Sequence, residues 1–302
     1  MNVSFPIWAM QAFNGLSIFC VLLLMALGLA IIFGQMGVIN MAHGEFLTLG
    51  AYTTFLLSEA CTRFAPGMRN WYFLVSIVAS FALASALGYL LEHVMIRHLY
   101  KRPLDTLLAT WGLSLILQQV YRSTFGAREV SATLPDWLMG SVKPTPNIDI
   151  PINGLVVIVL TLCLTALVFF GLWYTRLGVR IRATMQNRAM ASAAGIDTAR
   201  IDRFTFAFGC GLAGVAGAAF TTIGSTGPTS GSLYIVDTFL VVVFGGAESL
   251  LGTIASSFFI AQTQATTEFF MTGSMAKVLT LSLVIFILML RPQGLFTIKV
   301  RK

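Results

Sequence analysis

The 302 residues are 57% hydrophobic and 10% charged, and 19 Lys and Arg against 12 Asp and Glu leave a formal charge of +7. A water-soluble domain carries about 25% charged residues, so this composition excludes one. Cys20, Cys61, Cys163 and Cys210 are far apart and form no CxxC or Cys/His ligand set; they read as small buried hydrophobes, and no redox chemistry follows from them.

The first 44 residues contain no Lys, Arg, Asp or Glu. A secretory leader needs a basic n-region, so Leu16–Phe33 reads as a resident first span with a readily translocated N-terminus. It runs into Gly34–Glu45, GQMGVINMAHGE, where glycines, Asn40, His43 and Glu45 interrupt the apolar pattern. Phe46–Leu57 follows and, ending before Ser58 and Glu59, reads as too short to cross alone. Trp71–Ile96 and Leu104–Tyr121 are further spans, separated by the basic Arg97–Arg102. Ser123–Pro151, with Pro135, Pro144, Pro146 and Pro151, reads as an irregular external loop with a short surface helix near Trp137. Pro151–Tyr174 is the next span.

Residues 175–203 form the longest polar stretch, expected to be helical from Arg182 to Ala194 and stopped at Gly195. Its AMASAAG face suits docking against another protein, or against the membrane surface. Phe204–Gly224 then crosses, with Gly211, Gly214 and Gly217 permitting close helix approach. Leu233–Phe244 is again short and is followed by Gly245, Gly246, Ala247, Glu248 and Ser249; Leu250–Phe270 and Val278–Leu290 complete the chain. Paired short, glycine-interrupted segments point to a transport site, although two surface turns joining tilted helices have the same composition.

Continuous rather than alternating apolarity means helices. The expected fold is all-α: one polytopic transmembrane bundle over residues 1–302, with about eight to nine membrane segments, two of them broken or re-entrant. The segments Arg97–Arg102, Arg176–Arg203 and Arg291–Lys302 hold three, six and four basic residues. The positive-inside rule puts them in the cytoplasm, with the N-terminus outside and the C-terminus inside. The net charge then requires no nucleic-acid partner.

No GxxxxGK[ST], HExxH or GxSxG occurs, so neither a phosphate loop of its own nor a familiar hydrolytic site is expected. No cofactor or metal site is expected either; His43 and Glu45, two apart, would diverge on a helix. Ionisable residues inside membrane segments are functional candidates because burying them is costly: Glu45, Asp237, Glu248, Glu268 and His43. In Leu107–Gln119, LLATWGLSLILQQ, Thr110, Ser114 and Gln118 fall four apart on one face, with Trp111 beside them. The stripe reads either as interhelical hydrogen bonding or as a pathway lined by neutral polar groups.

GLAIIFGQMGVINMAHGEFLTLGAY, RATMQNRAMASAAGID and FLVVVFGGAESLLGT together resemble the permeases of the branched-chain amino-acid class of bacterial ABC importers. The resemblance implies a bacterial inner-membrane subunit that is not itself an enzyme. It implies a second homologous permease, two cytoplasmic ATPases, an external solute-binding protein and surrounding lipid as partners. It places ATPase coupling on Gln186, Asn187, Arg188, Ala193, Ala194 and Gly195, with Ser192 where the family pattern has an acid. A substrate pathway is expected along Asn40, His43, Glu45, Thr110, Trp111, Gln118, Gly245, Gly246 and Glu248. LLATWGLSLILQQ is most similar to the urea-importer branch, which makes urea the expected solute. A branched-chain amino acid is the alternative, and a stand-alone channel or carrier is a further one.

Overall fold

The computed structural model describes residues 4–100, 102–145, 148–246, 249–291 and 294. Its long helices are α1 (Ser4–Met36), α2 (His43–Phe64), α3 (Tyr72–Val94), α4 (Pro103–Phe125), α5 (Ile152–Tyr174), then α6 (Arg176–Gln186) and the short α7 (Arg188–Ala193). α8 (Thr198–Phe220), α9 (Ser230–Gly245), α10 (Leu250–Phe270) and α11 (Gly273–Leu290) follow. Between α4 and α5 lies a hairpin of β1 (Ser141–Thr145) and β2 (Ile148–Pro151).

Two helices form the shaft of the bundle. α1 is uncharged and apolar on every side, the pattern of a helix with no solvent face, and 78% of its most apolar window is buried. α8 is buried to 72%. Its glycines and alanines let α1, α2 and α3 pack against its backbone: a Cβ on Gly214 would collide with the Ser80 carbonyl of α3, and one on Gly217 with the Leu47 carbonyl of α2. α3, α5 and α11 are only 22%, 17% and 17% buried over the same window. They form the rim that faces lipid or partners.

Among the described residues five segments are long and apolar enough to cross a membrane: Pro6–Met36, Tyr72–His98, Ile152–Tyr174, Thr198–Phe220 and Gly273–Leu290. α2, α4 and α10 have the length, at 22, 23 and 21 residues, but carry more polar side chains. α9, at 16 residues, spans about 24 Å and is short, as expected from its sequence.

The structure corrects the sequence reading in four places. α1 persists through Gly34 and Gln35 to Met36, so the interruption begins at Gly37. Phe46–Leu57 is not a short segment but the middle of α2, which continues through Ser58 to Phe64, with Glu59 and Arg63 paired at 2.6 Å one turn apart on its exposed side. The expected irregular loop contains the β1–β2 hairpin as well as the short helix at Asp136–Leu138 around Trp137. The expected helix over Arg182–Ala194 is two helices, because Asn187 leaves the helical region and its Oδ1 accepts from the Met190 amide at 3.0 Å to cap α7. Gly195, at φ +82°, ends α7 as expected.

Candidate functional site

The chain turns back on itself after α1. Gly37 adopts φ +63°, a conformation glycine reaches without penalty, and His43 then lies beside Met25, with Nε2 3.1 Å from the Met25 carbonyl. Met25 is 11 residues before Met36, about 16 Å up α1. Residues 37–42 therefore climb back alongside α1, and α2 starts at the middle of the bundle. Non-helical backbone at such depth must be satisfied by protein. The Gly37 amide donates to the Phe33 carbonyl at 2.8 Å, the Met41 amide to Thr110 Oγ1 at 3.1 Å, and the Ala42 amide to Asn40 Oδ1 at 3.1 Å.

A carbonyl only accepts, so His43 Nε2 carries the proton and the ring is pinned against α1. His43 and Asn40 are buried and hold the break together. Among the described residues no group of three His, Cys, Asp or Glu is arranged to bind a metal.

Glu45 is the chemical centre. It is 1% exposed, and its Oε1 accepts from Ser114 Oγ at 2.9 Å, Gln118 Nε2 at 3.0 Å and Ser232 Oγ at 3.4 Å. Gln118 also donates to Ser232 at 2.7 Å, and the Tyr121 hydroxyl to the Glu45 carbonyl at 3.0 Å. One carboxylate thereby joins α2, α4 and α9. Burying such a group costs several kcal/mol. Three neutral donors offset that cost, and so do two helix N-termini. Glu45 stands in the first turn of α2 and Ser232 in the first turn of α9, where helix dipoles favour negative charge. The two helix starts are in contact, Gly44 against Gly231 backbone to backbone. Glu45 Oε2 is buried and has no hydrogen-bond partner among the described residues.

The sequence stripe is real, and it faces inward. Thr106, Thr110, Ser114 and Tyr121 are the buried residues of α4. Trp111 is 54% exposed, at the edge of this face, seven residues and so about two turns from Gln118. Ser232 and Tyr121 complete the cluster and were missed; the only signal was the serine in Ser230-Gly231-Ser232 ahead of an apolar run.

Gly245 and Gly246 are not part of this cluster. They lie 13 residues beyond Ser232, about 20 Å down α9. Gly245 packs against the Gly252 backbone, Gly246 turns at φ +93°, and Ser249 Oγ accepts from the Gly252 amide at 3.0 Å to cap α10. Glu248 lies outside the described residues. Asp237 of α9 pairs with Lys277 of α11 at 2.9 Å, and Glu268 accepts from Gln264 at 2.9 Å within α10.

At the basic end, Arg188 of α7 donates to Asp202, which is fully buried, and Asp202 also accepts from Gln35 Nε2 at 3.1 Å. The Arg188 guanidinium lies 5.2 Å from the Tyr100 ring centroid, and the Tyr100 hydroxyl donates to Glu92. Burial and the adjoining Glu92 push the Tyr100 phenol well above its usual range. Arg188 reaches its guanidinium to the buried Asp202 but stays 44% exposed along its side chain, and Gln186, Asn187, Ala193, Ala194 and Gly195 are exposed too.

Break, buried carboxylate and helical rim define a polytopic membrane protein built around an internal polar site. The family model described as "Branched-chain amino acid transport system / permease component" matches residues 11–289, and the chain belongs to that family. It is 29% identical to the high-affinity branched-chain amino acid transport system permease protein LivH of Escherichia coli (strain K12), over 98% of this chain and 97% of that protein. It is 28% identical to BraD of Pseudomonas aeruginosa, a permease protein of the same printed description, over 94% of each chain. A probable branched-chain amino acid transport permease of Methanocaldococcus jannaschii is 23% identical over 91% of this chain and 88% of that protein. No solved structure matches.

Proposed function

We propose that this chain is an inner-membrane permease subunit of an ATP-driven importer that passes a small nitrogen-bearing solute inward. The observation that carries the reading is the family match across almost the whole chain. The chain has no phosphate loop of its own, so ATP is hydrolysed on two cytoplasmic partners. A second permease completes the pathway, and an external binding protein delivers solute. The N-terminus is outside, and the 175–203 segment meets the ATPases through the exposed face of α7. Glu45, Ser114, Gln118 and Ser232 are the polar groups offered to the solute, with the 37–42 break as the element that moves.

For the solute, the relatives' printed names favour a branched-chain amino acid, whose ammonium would meet Glu45. A second reading rests on Leu107–Gln119, the stretch most similar to the urea-importer branch. Urea is neutral and rich in N–H donors, which also suits a carboxylate surrounded by neutral hydrogen-bonding groups. The test is uptake of labelled leucine and labelled urea by the reconstituted complex, each competed by the other and by short amides. Competition by leucine alone selects the amino-acid reading, and competition by urea and amides alone selects the urea reading. Uptake by the isolated chain at the rate of the full complex would replace both with a stand-alone carrier.

A further inference from the structure

The basic end of the bundle contains a cleft of about 880 Å³, walled by the end of α1, the segment before α4, α6 and α7. Arg97, Arg102, Arg188 and His98 line it, together with Gln35 and Tyr100, and no carboxylate does so among the described residues. Membrane orientation explains why arginines collect at this end. It does not explain why three of them, from the α3–α4 connection and from α7, converge on one cavity.

Their charges are unequally answered. Arg188 is matched by the buried Asp202, and Arg102 lies 3.6 Å from an exposed Asp105. Arg97 forms no ion pair among the described residues: Nη1 lies 3.3 Å from His93 Nδ1 and Nε donates to His98 Nε2 at 3.3 Å, while the buried Glu92 lines an adjoining cavity with it. A guanidinium only donates, so each imidazole presents a ring-nitrogen lone pair to it. Three guanidinium groups thus line the cleft, while the nearby carboxylates of Asp202 and Glu92 are buried and do not line it. It sits where α3 ends and α4 begins, at the end of the Tyr72–His98 segment that is long and apolar enough to cross a membrane. Guanidinium forks match phosphate oxygens in pairs.

We propose that this cleft binds a phosphate-bearing anion through Arg97, Arg102 and Arg188, tying the start of α4 to α7. A phospholipid headgroup and a soluble phosphate share that chemistry. The site does not depend on which solute the permease carries, so its test uses binding rather than transport.

The purified full chain in zwitterionic detergent is titrated with phosphatidylglycerol or phosphatidylcholine and examined by native mass spectrometry. In parallel, inorganic phosphate and ATP at millimolar concentration are tested for displacement of lipid and for a rise in thermal midpoint. The expected result is preferential retention of phosphatidylglycerol, weakened about thirty-fold by the Arg97→Gln/Arg102→Gln pair, from about 1 kcal/mol per surface charge. The Arg122→Gln/Arg128→Gln pair, at the opposite end of α4, should have no such effect. Stabilisation by inorganic phosphate or ATP that is lost in the Arg97/Arg102 variant supports the site with a soluble occupant. Equal retention of both lipids without a soluble-anion effect overturns the proposal, as does equal weakening by the two variant pairs. If the glutamine pair fails to fold, Arg97→Lys/Arg102→Lys keeps the charge and must still prefer phosphatidylglycerol; loss of preference there also overturns it.

Discussion

Glu45 of α2 and Ser114 of α4 lie 2.9 Å apart in the middle of the bundle, and their hydrogen bond is the central link by which α4 is attached. The remaining polar links are Thr110 to the Met41 amide, Gln118 to Glu45 and Ser232, and Tyr121 to the Glu45 carbonyl, and the buried Tyr52 of α2 adds aromatic ones, stacked on Phe125 at 4.0 Å and tilted against Tyr121 at 5.4 Å. Glu45→Ala removes the shared acceptor, and the expected loss is about 2 kcal/mol, since hydrogen bonds to a charged group are worth about 1.5–3 kcal/mol. Glu45→Gln keeps an acceptor and should cost about 1 kcal/mol or less. Thermal unfolding of the purified chain reads both. In the reconstituted complex, Glu45→Ala should lower uptake about ten-fold, the equivalent of one lost hydrogen bond.

Trp111 is the control for that cluster. Its side chain is 54% exposed at the edge of the polar face of α4, so Trp111→Ala should leave solute affinity unchanged and stability within about 0.5 kcal/mol, as for other surface substitutions. A large rise in the solute concentration for half-maximal uptake would place Trp111 on the pathway after all, through the second permease.

How far the site was legible follows from these residues. The 110/114/118 spacing announced one polar face of α4, because helical period alone decides which side chains share a side. It could not say whether that face meets solute or another helix. The interruption after α1 was visible in its glycines and polar residues, but the length of α2 was not. Ser58 and Glu59 look like an end, yet the helix runs on to Phe64 with Glu59 and Arg63 paired on its exposed side. Ser232 was hidden for a different reason: a lone serine 187 residues from Glu45 becomes a partner only through the meeting of α2 and α9. Asn187 carried a usable signal, being a good cap residue between two helical runs.

The turn at Gly37 supplies a backbone test. Its φ of +63° is unfavourable for other residues, and a Cβ there would meet nothing within 4 Å. Gly37→Ala therefore costs conformational energy alone, about 1–2 kcal/mol. Gly112, in the interior of α4, also has open space around it, and Gly112→Ala should stabilise by about 1 kcal/mol through helix propensity. Opposite signs in the two unfolding midpoints are expected. The same sign in both would mean that Gly37 is not in the left-handed conformation.

Arg188 and Asp202 give the last prediction. Asp202 is fully buried and depends on Arg188 and Gln35 for its hydrogen bonds. Truncating one member of a buried pair leaves the other charge uncompensated, which costs about 3–5 kcal/mol. Because the Arg188 side chain is itself 44% exposed, Arg188→Ala should fall at the lower end, near 3 kcal/mol. Asp202→Asn in that background should restore part of the loss, since an amide can still bond Gln35 and carries no charge to strand. Non-additivity of about 1.5 kcal/mol or more in the double-mutant cycle would establish the contact. The same variants separate stability from coupling. If Arg188 links α7 to the end of α1 through Asp202, the stability-restored double variant should assemble with its ATPases yet lose solute-stimulated ATP hydrolysis. Full stimulation in that variant would confine Arg188 to holding the fold.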